Sequence, residues 1–286
     1  MAVIKFNFLS HVLGIQQNLT IIIPTFSFED LDSDREEVYV PGMKFQTLYL
    51  LHGAFGDDSD WVNFTSIVRY ANANKLAVVM PAGNNSFYTN MAHGGDYFTY
   101  ISEEVPKVCR TVFPLSDKRE DNFVAGLSMG GYGAMSLAIK RPDMFSAAVC
   151  LSGAALTIED IIERANRFSK EEQTQRKIRV PRINMANVFG DFDKFPGSEN
   201  DIYHIAKKNV EEGKQLPEFF FACGDKDFVL NNVRKAKDYL GDLGYKVSYE
   251  EVPGYGHEWD FWDLYIRKAI YEWLPLKRSA IYPDEE

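Results

Sequence analysis

The stretch Asn122-Phe-Val-Ala125-Gly126-Leu-Ser128-Met-Gly130-Gly-Tyr-Gly-Ala134, continuing to Lys140, decides how this chain is read. Its opening is a short apolar run of strand character, and from Met129 onward the pattern is helical. Between the two lies Gly126-x-Ser128-x-Gly130, so a strand passes into a helix through a turn with a serine at its apex. A residue held at such an apex adopts strained φ/ψ at a cost of about 1–3 kcal/mol. Side chains two residues to either side would strike neighbouring backbone, which accounts for glycine at 126 and 130. A phosphate loop is excluded, because Gly131 is followed by Tyr132 rather than Lys-Ser/Thr. The run Gly131 to Ser136 also lacks the third glycine of the dinucleotide fingerprint.

Outward from this turn, short apolar runs alternate with amphipathic stretches. Thr47–Leu51, Leu76–Met80, Phe123–Ala125, Ala147–Leu151 and Phe219–Ala222 read as parallel strands covered on both faces, and Val247–Val252 as a less apolar last strand. Ile4, Phe6 and Phe8 alternate with polar residues ahead of Leu19–Ile23, the pattern of an antiparallel edge hairpin. Helical spacing falls on Asp60–Ala73, Tyr97–Val112, Met129–Lys140, Asn231–Leu243 and Glu258–Trp273, with a kink expected at Pro106. The expected fold class is α/β: a mostly parallel eight-stranded sheet with helices on both faces. About sixty residues separate Leu151 from Phe219, against the usual 2–6 of such a connection. Thr157-Ile-Glu-Asp160, Ser169-Lys-Glu-Glu172 and Ser198-Glu-Asn-Asp201 each fit a capping box, so 157–215 is expected to be a small helical cap insertion within one domain spanning 1–286.

Composition bounds the function. The 286 residues are 45% apolar and 25% charged, the profile of a globular chain. A net charge of -10 repels phosphate backbones and anionic headgroups, so neither nucleic acid nor a membrane surface is an expected partner. No apolar run approaches the roughly 20 residues of a membrane span, and Met1-Ala-Val-Ile-Lys lacks the features of a signal peptide. Cys109, Cys150 and Cys223 are few and widely spaced, reading as free buried thiols in a reducing, cytoplasmic setting. A homo-oligomer is compatible with the sequence, which does not specify one.

A serine hydroxyl needs a base to take its proton. His257, in Gly254-Tyr-Gly256-His257-Glu-Trp259, follows the last strand in a loop able to carry an imidazole over the sheet's carboxyl edge. Among the other histidines, His52 reads as structural, His11 and His204 as surface or packing residues, and His93 as a candidate for the pocket lining. The imidazole in turn needs a carboxylate to fix its tautomer. Cys223-Gly-Asp225-Lys-Asp227 offers two. Asp227 is preferred because the intervening residues carry the chain off the strand end, while Asp225 stays open as a turn-capping residue or as the third member. Ser128, Asp227, His257 is the nucleophile, acid, base order of α/β-hydrolases. Donors for a developing oxyanion are expected at the Met129 N–H and, after His52-Gly53, at the Ala54 N–H. Phe55, Tyr88, His93 and Trp259 are the candidate pocket wall.

Leu50-Leu-His-Gly53, Phe87-Tyr-Thr-Asn90, Asp96-Tyr97, Ala125 to Ala134, Cys223-Gly-Asp-Lys-Asp-Phe228 and Gly256-His-Glu-Trp259 together resemble the Putative esterase family. The resemblance runs from about residue 1 to 275 and is closest to tributyrin-type carboxylesterases, with S-formylglutathione hydrolases and feruloyl and acetylxylan esterases as relatives. It implies the α/β-hydrolase fold and a serine carboxylesterase that cleaves short-chain acyl esters, acetyl- or feruloyl-sugar esters included, through an acyl-enzyme. It further implies no metal or cofactor, Ser128, Asp227 and His257 as triad, and Ala54 and Met129 as oxyanion donors. An S-formylglutathione hydrolase-like thioesterase or an acyltransferase is the alternative, and an inactive esterase-like binding module a more distant one. Two departures bear on specificity: Phe87-Tyr-Thr-Asn90 stands where the family has Trp-Tyr-Thr-Asp, and Ala54-Phe55 replaces a more variable pair.

Overall fold

The computed structural model describes residues 1–27, 30–31, 37–166 and 182–283. Among the described residues eight strands form one sheet: β1 (Ala2–Leu9), β2 (Gln16–Ile23), β3 (Thr47–Leu51), β4 (Ala77–Pro81), β5 (Asn122–Leu127), β6 (Ala147–Leu151), β7 (Glu218–Gly224) and β8 (Val247–Val252). Their order is β1-β2-β4-β3-β5-β6-β7-β8. β1 pairs antiparallel with β2, and β2 antiparallel with β4, while β4 through β8 run parallel. This is the expected edge hairpin on a parallel sheet.

Alternation along the strands divides the core in two. Tyr49, Leu51, Val79 and Val124 face the layer built by the helices Val105–Val112, Met129–Lys140, Ile202–Glu211 and Leu230–Asp242. Leu48, Leu50, Val78, Phe123 and Ala125 face the helices Asp60–Phe64, Ile67–Ala73 and Trp259–Lys268. Every residue of β3, β4 and β5 is buried, as continuous apolar runs between two helical layers must be.

Three helical expectations need correction. Asp60–Ala73 is two helices, because Thr65 Oγ1 bonds the Trp61 carbonyl and the Ser66 amide is taken by Asp263, which ends the first helix before the second begins. The stretch from Tyr97 is not simply kinked at Pro106: it widens into a π turn over Tyr100–Glu104 before Val105–Val112. The Ser102 carbonyl that Pro106 leaves without an amide accepts instead from Arg141 Nη1 at 3.1 Å. The last helix also ends as a π segment, Ala269–Trp273.

In the connection between β6 and β7, Thr157 and Asp160 exchange reciprocal capping bonds of 2.9 and 3.3 Å at the head of helix Ile158–Asn166. Ser198 does not cap a helix. Asp201 does, accepting from the His204 amide at 3.1 Å ahead of Ile202–Glu211. A five-residue helix, Met185–Phe189, carries no capping-box signal, since its cap is Asn184 without a following acid. The Ser169–Glu172 box lies outside the described residues. Among the described residues no helix is long and apolar enough to cross a membrane, and the three cysteines are free and buried.

The glycines of the central turn make a prediction. A Cβ on Gly126 would sit 2.3 Å from the Gly130 carbonyl oxygen, a backbone atom that cannot rotate away. Gly126→Ala is expected to cost about 1–3 kcal/mol and to lower Tm by roughly 3–10 °C in calorimetry. Gly241, near the end of its helix, has open space where a Cβ would go, with nothing within 4 Å. It is expected to behave oppositely, Gly241→Ala raising stability by about 0.5–1 kcal/mol.

Candidate active site

Strand register brings the candidate residues to one edge. Leu51 is level with Gly126, Leu127 with Leu151, Leu151 with Ala222, and Gly224 with Val252. The residues that follow each strand therefore emerge side by side: Gly53 and Ala54 after β3, Ser128 after β5, Ser152 after β6, Asp227 after β7, and His257 after β8.

Ser128 stands at φ 52° and ψ -116°, with its amide donating to the Leu151 carbonyl at 2.9 Å. Such backbone is rare for a residue with a side chain and is tolerated only where the surroundings over-determine it. A Cβ on Gly130 would lie 2.5 Å from the Leu51 oxygen, and one on Gly153 2.1 Å from the Ser128 oxygen, so the turn is clamped by backbone on both sides.

The hydroxyl of Ser128 lies 2.9 Å from His257 Nε2. His257 Nδ1 lies 3.0 Å from each Asp227 carboxylate oxygen. Asp227 is buried, and burial works to raise its pKa. The His257 hydrogen bond and charge, the Val229 N–H at 3.0 Å and the Ser152 hydroxyl outweigh that, and hold the carboxyl below its ordinary range. Asp225 serves differently. Its Oδ1 accepts from the Gly254 amide at 2.8 Å and so anchors the loop that carries His257.

The amides of Ala54 and Met129 have no acceptor within the protein among the described residues. Unpaired N–H groups at a helix N-terminus and an adjacent strand end are suited to receive a negatively charged oxygen. His52 is held beneath them. Burial depresses its pKa and leaves it neutral, with Nε2 accepting from the Gly83 amide at 2.9 Å and the other ring nitrogen 2.7 Å from the Gly53 carbonyl.

The four candidate wall residues separate. Phe55, at φ 67°, is 57% exposed and its amide is held by Asn85 Oδ1. Tyr88 is fully buried and its hydroxyl donates to the His52 carbonyl at 2.8 Å, so it is a strut under the site and not a wall. His93 is exposed, with its backbone amide bonded to Asn187, and makes no hydrogen bond to the Ser128–His257–Asp227 group. Trp259 packs among Phe64, Trp61 and Trp262 on the helical layer. The rings that do flank His257 are Phe228, 4.5 Å away, and Trp262, 4.9 Å away and perpendicular. Neither has a role that the sequence alone gives it: Phe228 adjoins Asp227, and Trp262 reads as an ordinary core position of its helix. Ser152 likewise goes unmarked in the sequence, although β6 ends level with β5. Among the described residues no group of three His, Cys, Asp or Glu side chains could hold a metal ion.

A family model described as Putative esterase matches residues 37–216. An acetyl esterase from Caldicellulosiruptor saccharolyticus is 34% identical over 275 residues, which is 96% of this chain and 98% of that protein. The chain belongs to the Putative esterase family. Two solved structures from Staphylococcus aureus resemble this esterase: the fluorophosphonate-binding serine hydrolase FphF, solved with substrate bound, and the S-formylglutathione hydrolase FrmB. Each is 35% identical, covers 96% of this chain and 98% of its own, and superimposes with a TM-score of 0.77. The esterase has the α/β-hydrolase fold, and it is an ester hydrolase.

The depressed Asp227 pKa gives a pH prediction. A carboxyl whose folded pKa lies below its unfolded value adds stability that is present above the unfolded pKa, about 3.9, and is lost as pH falls through the folded value. The Tm difference between wild type and Asp227→Asn, measured by thermal unfolding, is expected to be largest at about pH 5–7 and to shrink below about pH 4. A difference constant from about pH 7 to 3 would contradict this.

Proposed function

We propose that this esterase is a serine carboxylesterase of short-chain acyl esters, acting through an acyl-enzyme on Ser128. The observation that carries the reading is the unbroken line of hydrogen bonds from Ser128 Oγ through His257 to Asp227, beside two amides that lack acceptors. His257 Nε2 takes the Ser128 proton as Oγ attacks the ester carbonyl, and the oxyanion forms against the Ala54 and Met129 N–H groups. As the intermediate collapses, the proton passes to the alkoxy oxygen and the alcohol leaves. Water then gives its proton to Nε2 and attacks the acyl-enzyme, and the carboxylic acid departs as Ser128 recovers its proton. Asp227 stays ionised throughout and stabilises the imidazolium. The acyl preference follows the acetyl esterase relative. Phe55 and Phe228, the exposed rings beside the site, are the wall against which the substrate rests, and 157–215 is read as a cap within a single domain.

The resemblance to an S-formylglutathione hydrolase favours a thioester as the second reading. The same steps apply with a thiol as leaving group. Ser128→Ala is expected to lower kcat on p-nitrophenyl acetate by about 10⁴–10⁶ while leaving the fold intact, and to abolish fluorophosphonate labelling. Full activity in that variant would end the proposal. Comparing kcat/KM for p-nitrophenyl esters of increasing chain length, methyl ferulate and S-formylglutathione separates ester from thioester preference.

A further inference from the structure

Ser152 lies one strand away from Ser128 and makes no hydrogen bond to its Oγ, yet its geometry is unusual. It is fully buried at φ 47°. Its amide donates to the Ala222 carbonyl at 2.9 Å, which fixes the residue at the end of β6. Its Oγ accepts from the Trp262 indole Nε1 at 3.1 Å. The indole is thereby anchored on a hydroxyl whose own backbone is fixed, and the same hydroxyl helps to hold the nearby Asp227 carboxyl below its ordinary range.

Trp262 links Ser152 to the site. Its N–H is held by the Ser152 hydroxyl, and its ring stands perpendicular to the His257 imidazole at 4.9 Å, while Phe228 flanks the same imidazole. We infer that Ser152 and Trp262 are a positioning pair for the hydrolytic reaction: Ser152 anchors the indole, and the indole ring holds the His257 imidazole in the plane that joins Asp227 to Ser128. The inference rests on the proposed relay and assigns the pair no contact with the reacting atoms. Without the hydroxyl, the indole N–H loses its acceptor and the ring is free to shift, and the Nδ1–H of His257 meets Asp227 in a less fixed orientation.

The test compares Ser152→Ala, Trp262→Phe and the double variant. Trp262→Phe keeps an aromatic ring against His257 and removes the N–H. Each single variant is expected to lower kcat for p-nitrophenyl acetate about tenfold with KM within about twofold. The double variant is expected to lose no more than the worse single one, because both changes break one chain of hydrogen bonds. In both single variants the downfield proton resonance of His257 Nδ1–H should shift. Loss confined to KM, kcat within about twofold of wild type in both singles, or losses that multiply in the double variant would overturn the inference. Ser152→Ala, which removes one oxygen and no packing contact of the ring system, decides the matter alone if Trp262→Phe does not fold. Ser128→Ala serves as the control. Activity there would mean that the relay itself is wrong, whereas an inactive Ser128→Ala beside full-speed Ser152→Ala overturns the positioning pair only.

Discussion

The site depends on how closely the backbone of β5, the helix after it and the ends of β3 and β6 approach one another around Ser128. Side chains at 126, 130 or 153 would overlap main-chain oxygens at 2.1–2.5 Å, and their absence lets four segments meet where ordinary residues would hold them apart. The strained φ of Ser128 is the price of that meeting, of order 1–3 kcal/mol. In return the hydroxyl is lifted clear of the sheet, and the first amides of the helix stand beside it without partners.

The parallel sheet then acts as a ruler. One residue of slip between β7 and β8 would shift Asp227 against His257 by about 3.3 Å, enough to open both bonds between them. The slip is resisted by bonds beyond the strands themselves. Asp225 takes the Gly254 amide, its own amide binds the Val252 carbonyl at 3.0 Å, and the Lys226 amide binds the Tyr255 carbonyl at 3.0 Å. The two carboxylates of Cys223–Asp227 thus divide the work, one facing the imidazole and the other holding the loop that bears it.

The parallel strands were legible because burial on both faces leaves continuous apolar runs, and the strands Thr47–Leu51 and Ala147–Leu151 have the bounds read from the sequence. The helix breaks were not, since they come from tertiary bonds: Asp263, almost two hundred residues away, takes the amide at Ser66. The glycines and Ser128 could be read from chemistry that a tight turn demands. Tyr88, Phe228, Trp262 and Ser152 could not be sorted into strut, flank or partner. An aromatic residue has the same apolar appeal in a core as beside an imidazole, and only the packed fold decides which it meets. Family resemblance supplied the motif containing Phe228 without saying what its ring would touch.

β8 lies at the margin of the sheet, paired among the described residues only with β7 and buried only in part along its length. Ser128, by contrast, follows a central strand whose every residue is buried. Margins of sheets fray at lower free energy than centres do. Brief detachment of this outermost ribbon would carry the imidazole off while leaving the serine turn and the hydrophobic layers intact. Warming would then part His257 from Ser128 through small, quickly reversed openings well before the whole chain melts, and re-annealing the ribbon would rejoin them without refolding.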